Sequence, residues 1–357
     1  MDRQDAITRG NRHDPRHNPG NGLLFAAAAG IGLCLAARSL VRQSRWMDLY
    51  GRSVFITGGS RGLGLLLARE FLDQGARVAV CARDADELDR AAVDLGRRGG
   101  SAVTTHVCDI TDRAQVEQTV RDVEQRRGHI DILVNNAGTI SVGPMEVMNL
   151  GDYDEAMKTH FWGPLHTTLA ALPGMRRRRE GRIVNISSIG GKVAVPHLLP
   201  YCASKFALTG LSEGLRAELK KDNIFVTTIC PGLMRTGSPP NAFFKGQHKA
   251  EYALFKLSDS TPFTAMNATR AARRIVLATQ RGESEVILTV QAKLAAGFHG
   301  LFPGVSSELY GLINRALPGP GGIGEQRAQG KDSESLVSRS FLTALTDKAA
   351  VENNETR

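Results

Sequence analysis

Aromatic residues are scarce in this chain of 357 residues: Phe, Tyr and Trp together make 6%, with only two Trp. Cysteines number five, an odd count, and none forms a CxxC pair. That excludes a disulfide framework, offers no thiolate metal site and fits a reducing compartment. Zinc-finger spacing, an RNP-type aromatic motif and a basic helix with interleaved aromatics are all missing. The net charge of +9 is therefore not read as nucleic-acid recognition; an anionic membrane surface or a phosphorylated cofactor can use the same bias. What remains is 42% hydrophobic and 23% charged. That excludes a wholly disordered, collagen-like or fibrous chain.

Long apolar runs are also rare. Leu23 to Ala37 carries no charge, and continuation to Val41 gives a segment, 23–41, broken only by Arg38. A helix of that length spans roughly 28 Å, close to the ~30 Å of a hydrocarbon core. Residues 23–41 are thus a candidate membrane anchor, with a packing helix and a cleaved signal peptide as alternatives. Arginines flank the segment on both sides, so its orientation stays open. Residues 1–22 are polar with Pro and Gly and are expected to be disordered. At the other end, PGPGGIG (318–324) breaks the chain, and the polar tail to 357 is expected to be largely irregular.

Between the ends, short Val- and Ile-rich runs alternate with amphipathic stretches: SVFIT (53–57), RVAVC (77–81), AVTTHVC (102–108), DILVN (131–135), RIVNIS (182–187), FVTTIC (225–230) and EVILT (285–289). Near-continuous apolar strands alternating with helices predict an α/β domain over residues 50–290. It should be a doubly wound, Rossmann-like, seven-stranded parallel sheet, with its ligand beyond the carboxyl ends of the strands. Residues 291–317 add a helical extension of two amphipathic helices parted near Pro303-Gly304.

The first strand runs into Thr57-Gly58-Gly59-Ser60-Arg61-Gly62-Leu63-Gly64 and then a helix. Gly58, Gly62 and Gly64 permit a tight turn and close approach of a pyrophosphate to the helix N-terminus. After the second strand, where a carboxylate would read a ribose 2′-hydroxyl, stand Ala82 and Arg83. Arg61 and Arg83 favour a 2′-phosphate, hence NADP(H); Asp84 keeps NAD(H) as the second choice.

Tyr201 and Lys205 are spaced i, i+4 and share one helix face. A free tyrosine has a pKa near ~10, and a fixed ammonium beside it lowers that value. Tyr201 is then a proton donor to a carbonyl, or an acceptor from an alcohol, with Ser188 holding the same oxygen.

These motifs together resemble the short-chain dehydrogenase/reductase family: TGGSRGLG, NNAG at 135–138, Ser188 thirteen residues before Tyr201-x-x-x-Lys205, and Pro231-Gly232 with Thr236. The resemblance covers about residues 50–290. It implies that Lys205 also binds the nicotinamide ribose, Asp109 contacts the adenine, and Asn135 supports the fourth strand's cofactor side. Ser60, Arg61, Ala137 and Tyr201 belong with the glycines to the cofactor site, and Thr236 sits near the carboxamide. It also implies a homodimer or homotetramer. One departure is His160, in HFWG, where the family often has asparagine. The imidazole either relays a proton through water to Lys205, bends its helix, or is structural.

Residues 237–265 carry Phe243, Phe244, Tyr252, Phe255 and Phe263. As a lid, together with Pro196 to Leu199, they suggest a lipophilic ketone or alcohol, or they simply pack the lid. Lys245, His248 and Lys249 either meet an anionic group or are solvated. The reading is an NADP(H)-dependent oxidoreductase of a small lipophilic carbonyl or alcohol, binding neither nucleic acid nor a metal. Its catalytic domain is expected to be cytoplasmic, anchored to a membrane if 23–41 inserts. The alternative is a catalytically idle NADP(H)-binding sensor or scaffold.

Overall fold

Val- and Ile-rich runs bounded by turns gain most from a sheet buried on both faces. In the computed structural model, which describes residues 43–261 and 264–356, all seven runs become strands of one sheet. They are β1 Ser53–Thr57, β2 Arg77–Ala82, β3 Val103–Val107, β4 Ile132–Asn135, β5 Gly181–Ile186, β6 Ile224–Cys230 and β7 Glu285–Ile287. Every pairing is parallel, and the order is β7-β6-β5-β4-β1-β2-β3. The expected doubly wound, Rossmann-like architecture is present. Winding reverses between β1 and β4, which opens a crevice beyond their carboxyl ends.

The helices are α1 Gly62–Asp73, α2 Ala85–Gly99, α3 Arg113–Arg127, α4 Leu150–Met157, α5 Gly163–Arg178, α6 Leu199–Leu219, α7 His248–Ser260 and α8 Ala268–Gln280. Strand residues alternate between two cores. Val54, Ile56, Val78 and Val80 meet α1, α2 and α8 on one face. Phe55, Ala79, Leu133 and Ile183 meet α3, α5 and α6 on the other. A π-helical turn, Lys158–Trp162, joins α4 to α5.

Helix ends show how the crevice is prepared. Asp84 caps α2 by accepting from Glu87 N, and Asp86 and Glu87 lie in that helix's first turn, an arrangement that satisfies the helix N-terminus. α1 differs: its N-cap residue, Arg61, makes no side-chain cap bond, and no acid lies in its first turn. The N-terminus of α1 thus has no side-chain cap of its own.

Beyond β7 come α9 Val290–Leu301 and α10 Pro303–Asn314. Leu294, Leu301, Phe302, Val305 and Leu312 are exposed on them. The irregular tail anticipated after Gly324 is corrected by the structure. Ala328–Gln329 pairs antiparallel with Phe243–Phe244, and α11 spans Ala344–Glu352. Small residues drive this: Thr346, Ala349 and Ala350 are buried. Ser260 and Thr346 share a hydroxyl hydrogen bond of 2.6 Å, and Lys256 pairs with Asp347 at 2.7 Å.

These elements belong to one unit, Met47–Arg357; of the other, Met1–Trp46, only a short helical end at residues 43–46 is described. The segments 1–22 and 23–41 lie outside the described residues, as does Phe263. Among the described residues no helix is long and apolar enough to cross a membrane.

Candidate active site

The glycine loop is clamped by the NNAG turn after β4. Thr57 Oγ1 accepts from the backbone N–H of Asn136 (3.0 Å) and of Ala137 (3.1 Å). Asn136 Nδ2 donates to the carbonyls of Thr57 and Gly58, both at 3.0 Å. A methyl on Gly64 would lie 2.0 Å from the Gly58 carbonyl oxygen, and one on Gly58, where φ is +64°, would lie 2.7 Å from Ala137 Cα. Only glycine allows this packing, which brings bare backbone to the α1 N-terminus. Ser60 Oγ donates to Glu87 (3.0 Å). Arg61 lies 3.6 Å from Glu87 and 3.5 Å from Glu355.

Across the crevice, Ser188 follows β5 and Tyr201 opens α6. A methyl on Gly190 would stand 3.2 Å from Tyr201 Cε1 and 3.4 Å from Ser188 Oγ, so phenol and hydroxyl converge on one spot. Ser188 draws the phenol down, but burial dominates and pushes it up to about 12. Lys205 Nζ donates to the Ile186 carbonyl (2.8 Å) and lies 5.6 Å from the Tyr201 ring centroid. Its burial brings the ammonium down to about 7. Burial is the largest influence on the phenol, ahead of Ser188.

His160 is buried in the π-helical turn. Thr139 N–H donates to its Nε2 (3.1 Å), so the ring proton sits on Nδ1, 2.8 Å from Ser204 Oγ. Ser204 in turn donates to the Tyr201 carbonyl (2.8 Å). Burial first, then the Lys205 charge, holds the imidazole well below its ordinary value, so it is neutral. Both nitrogens are engaged, which leaves neither for a water relay to Lys205. The ring stands edge-on to Tyr201, centroids 5.4 Å apart, and braces the backbone that carries it.

A model of the short-chain dehydrogenases matches residues 52–243. The chain belongs to the short-chain dehydrogenase/reductase family. A dehydrogenase/reductase SDR family protein 7-like from Anopheles gambiae is 38% identical over 280 residues, covering 76% of this chain and 86% of that protein. A tropinone reductase homolog from Arabidopsis thaliana is 32% identical over 226 residues, 63% of this chain and 68% of that one. Among solved structures, a short-chain dehydrogenase from Streptomyces avermitilis superposes with TM-score 0.63 at 29% identity, over 76% of this chain and 99% of that chain.

The other anticipated residues of this short-chain dehydrogenase divide into two groups. Arg83 is exposed at the end of β2, on the same rim as Arg61. Asp109 is held locally: its Oδ1 accepts from Thr111 N and Oγ1, both 2.9 Å. Asn135 lies under the crevice rather than in it. It accepts from Thr167 Oγ1 (2.6 Å) and donates to Asn185 Oδ1 (2.8 Å), a buried polar belt that Asn185 extends to Ser212. Thr236 is buried, and its Oγ1 donates to Ser238 Oγ (3.0 Å). Asn136 and Thr57, which make the clamp, were not singled out from the sequence; the second Asn of NNAG was the available signal.

In the lid, Phe244 and Tyr252 are fully buried and meet edge to face at 5.3 Å, with Phe255 5.8 Å from Phe244. They pack the lid on itself and do not line an open wall. Lys245 is buried and paired with Asp152, and His248 bonds Ser333 (2.9 Å), so neither is a free cationic contact.

Proposed function

We propose that this oxidoreductase reduces the carbonyl of a lipophilic ketone, or oxidises the matching secondary alcohol, with NADP(H). The observation that carries the reading is the convergence of Ser188 Oγ and the Tyr201 ring above Gly190, with Lys205 buried behind them. A nicotinamide dinucleotide supplies or accepts the hydride when bound. The residues fit it: glycines stand where a Cβ has no room, and α1 lacks a side-chain cap of its own. Gly58, Gly62 and Gly64 would cradle the pyrophosphate, and Arg61 and Arg83 would meet a 2′-phosphate. Asp84 uses its carboxylate to cap α2 (2.8 Å to Glu87 N), which supports NADP(H) over NAD(H).

Tyr201 gives its Oη proton to the carbonyl oxygen while Ser188 holds that oxygen in place. A phenol pushed up to about 12 stays protonated across the neutral range, so it holds the proton that the carbonyl oxygen takes. Lys205, at about 7, stabilises the phenolate left behind. His160 positions Tyr201 through Ser204 and does not touch the reacting atoms. An apolar substrate is supported by the exposed face of α9 and α10, whose first turn reaches the Pro231-Gly232 loop: a methyl on Gly232 would meet Thr289 Oγ1 at 2.5 Å and Ala292 Cβ at 3.3 Å.

The test is titration of the purified chain with NADPH and NADH, followed by turnover on a panel of lipophilic ketones. Tight NADPH binding with Tyr201-dependent oxidation of the cofactor is expected. A Tyr201→Phe protein that turns over as fast as the parent would defeat the assignment, and a preference for NADH would overturn the reading of Arg61 and Arg83.

A further inference from the structure

Residues 353–355 lie on the glycine loop. Asn353 accepts from Gly62 N–H (2.9 Å), the first donor of α1. Asn354 Nδ2 donates to the Ser60 carbonyl (2.8 Å) and the Glu87 carbonyl (3.1 Å). Asn353 Nδ2 donates to the Thr236 carbonyl (3.0 Å). Glu355, buried, places Oε1 2.4 Å from where a methyl on Gly62 would be, while its Oε2 lies 3.5 Å from Arg61 and accepts from Asn241 Nδ2 at 2.8 Å. Ser60, Arg61, Gly62 and Thr236 were each assigned to the dinucleotide from the sequence, and each is bonded to or paired with this one segment.

Resting on the dinucleotide reading above, we propose that residues 353–355 are an internal ligand of the cofactor cradle. The Asn353 carbonyl and the Glu355 carboxylate take the donors that cofactor phosphates require, and the tail must leave before the dinucleotide binds. A carbonyl and a carboxylate at the N-terminus of an otherwise uncapped helix are stabilised by the same dipole and N–H groups as a phosphate. One Gly62 N–H and one Arg61 cannot serve both. Burial pushes the Glu355 carboxyl up to about 7 against the pull of Arg61, so near neutral pH it docks only partly ionised, whereas a phosphate brings its full charge. Docking also reaches the lid, because α11, which carries the segment, is pinned to α7 through Asp347 and Thr346.

The experiment compares the full chain with a chain ending at Glu352 and with Glu355→Lys, which keeps the length and repels Arg61. NADPH affinity is read by nucleotide fluorescence, and hydrogen exchange of residues 344–355 is followed with and without NADPH. Both variants are expected to bind NADPH about tenfold more tightly, the apparent affinity of the parent being reduced by its undocked fraction. NADPH should also raise exchange in residues 353–355 of the full chain. Equal or weaker binding by both variants, with the tail still protected when NADPH is bound, overturns the internal ligand while leaving the dinucleotide site standing. No binding of NADPH or NADH by any of the three proteins overturns both readings.

Discussion

Replacing His160 by Phe keeps an aromatic ring in the π-helical turn and removes both of its hydrogen-bonding nitrogens. Thr139 N–H then has no acceptor and Ser204 Oγ no donor from that side. The Thr139 bond is part-buried; leaving its donor unpaired costs about 1–3 kcal/mol, and a lost accepted bond about 0.5–1.5 kcal/mol. His160→Phe should therefore lose about 2–4 kcal/mol of unfolding free energy, measured by urea denaturation at pH 7.5. A pH series adds a second signature. The folded value of His160 is depressed, so the unfolded chain binds the extra proton. Wild-type stability should fall as pH drops through about 6.5, by up to ~1.4 kcal/mol per pH unit until the folded value is reached. In His160→Phe this component of the slope disappears. His160→Asn, which offers a shorter donor and acceptor, should keep at least roughly a tenth of the activity. A His160→Phe protein as stable as the parent yet lowered more than about a hundredfold in kcat would refute the reasoning, because it would give the imidazole a direct chemical part.

Three further outcomes are expected. Lys205 is buried and its folded value is depressed to about 7, so its contribution to stability grows as pH rises from about 7 toward its ordinary 10.5. Lys205→Met should raise the denaturation midpoint at pH 7, flatten that rise and abolish turnover; a lowered midpoint would contradict the buried-charge argument. Arg83→Asp should weaken NADPH binding at least about tenfold relative to NADH, read by parallel titrations, since it exchanges a cation for an anion on the cofactor rim; an unchanged ratio would remove Arg83 from the site. Asn136→Ala frees the carbonyls of Thr57 and Gly58. It should weaken dinucleotide binding about tenfold with kcat at saturation little altered, whereas a fall in kcat alone would place Asn136 in the chemistry.

The sheet was legible because each strand is a local apolar run and each reversal a local turn. Boundaries slipped where a terminal residue had other work. The seventh run was read to Thr289, but Thr289 accepts from Ala292 N (3.1 Å) and caps α9, so β7 stops at Ile287. Tyr201 and Lys205 could be paired from spacing alone, since four residues apart on a helix fixes the geometry. The state of His160 could not, because it depends on Thr139 and Ser204, 21 and 44 positions away. The sequence leaves Lys245 between an anionic contact and solvent because its partner, Asp152, is 93 positions distant. The lid aromatics bore the same composition whether they faced a ligand or one another. The tail was missed for a related reason: it is polar and short, and nothing in its own pattern reports that its hydrogen-bond partners lie near residue 60.

The distance between Ser60 and Asn354, 294 positions, also has a meaning in time. The sheet is complete in sequence at Ile287, whereas the segment that covers its glycine loop begins at Asn353. On a ribosome moving at ~5–20 residues per second, those intervening residues take roughly 3–13 s. Each newly made chain therefore presents an open helix N-terminus before its own tail exists. Whatever anion is abundant around the ribosome has first access to that terminus, and residues 353–355 arrive second.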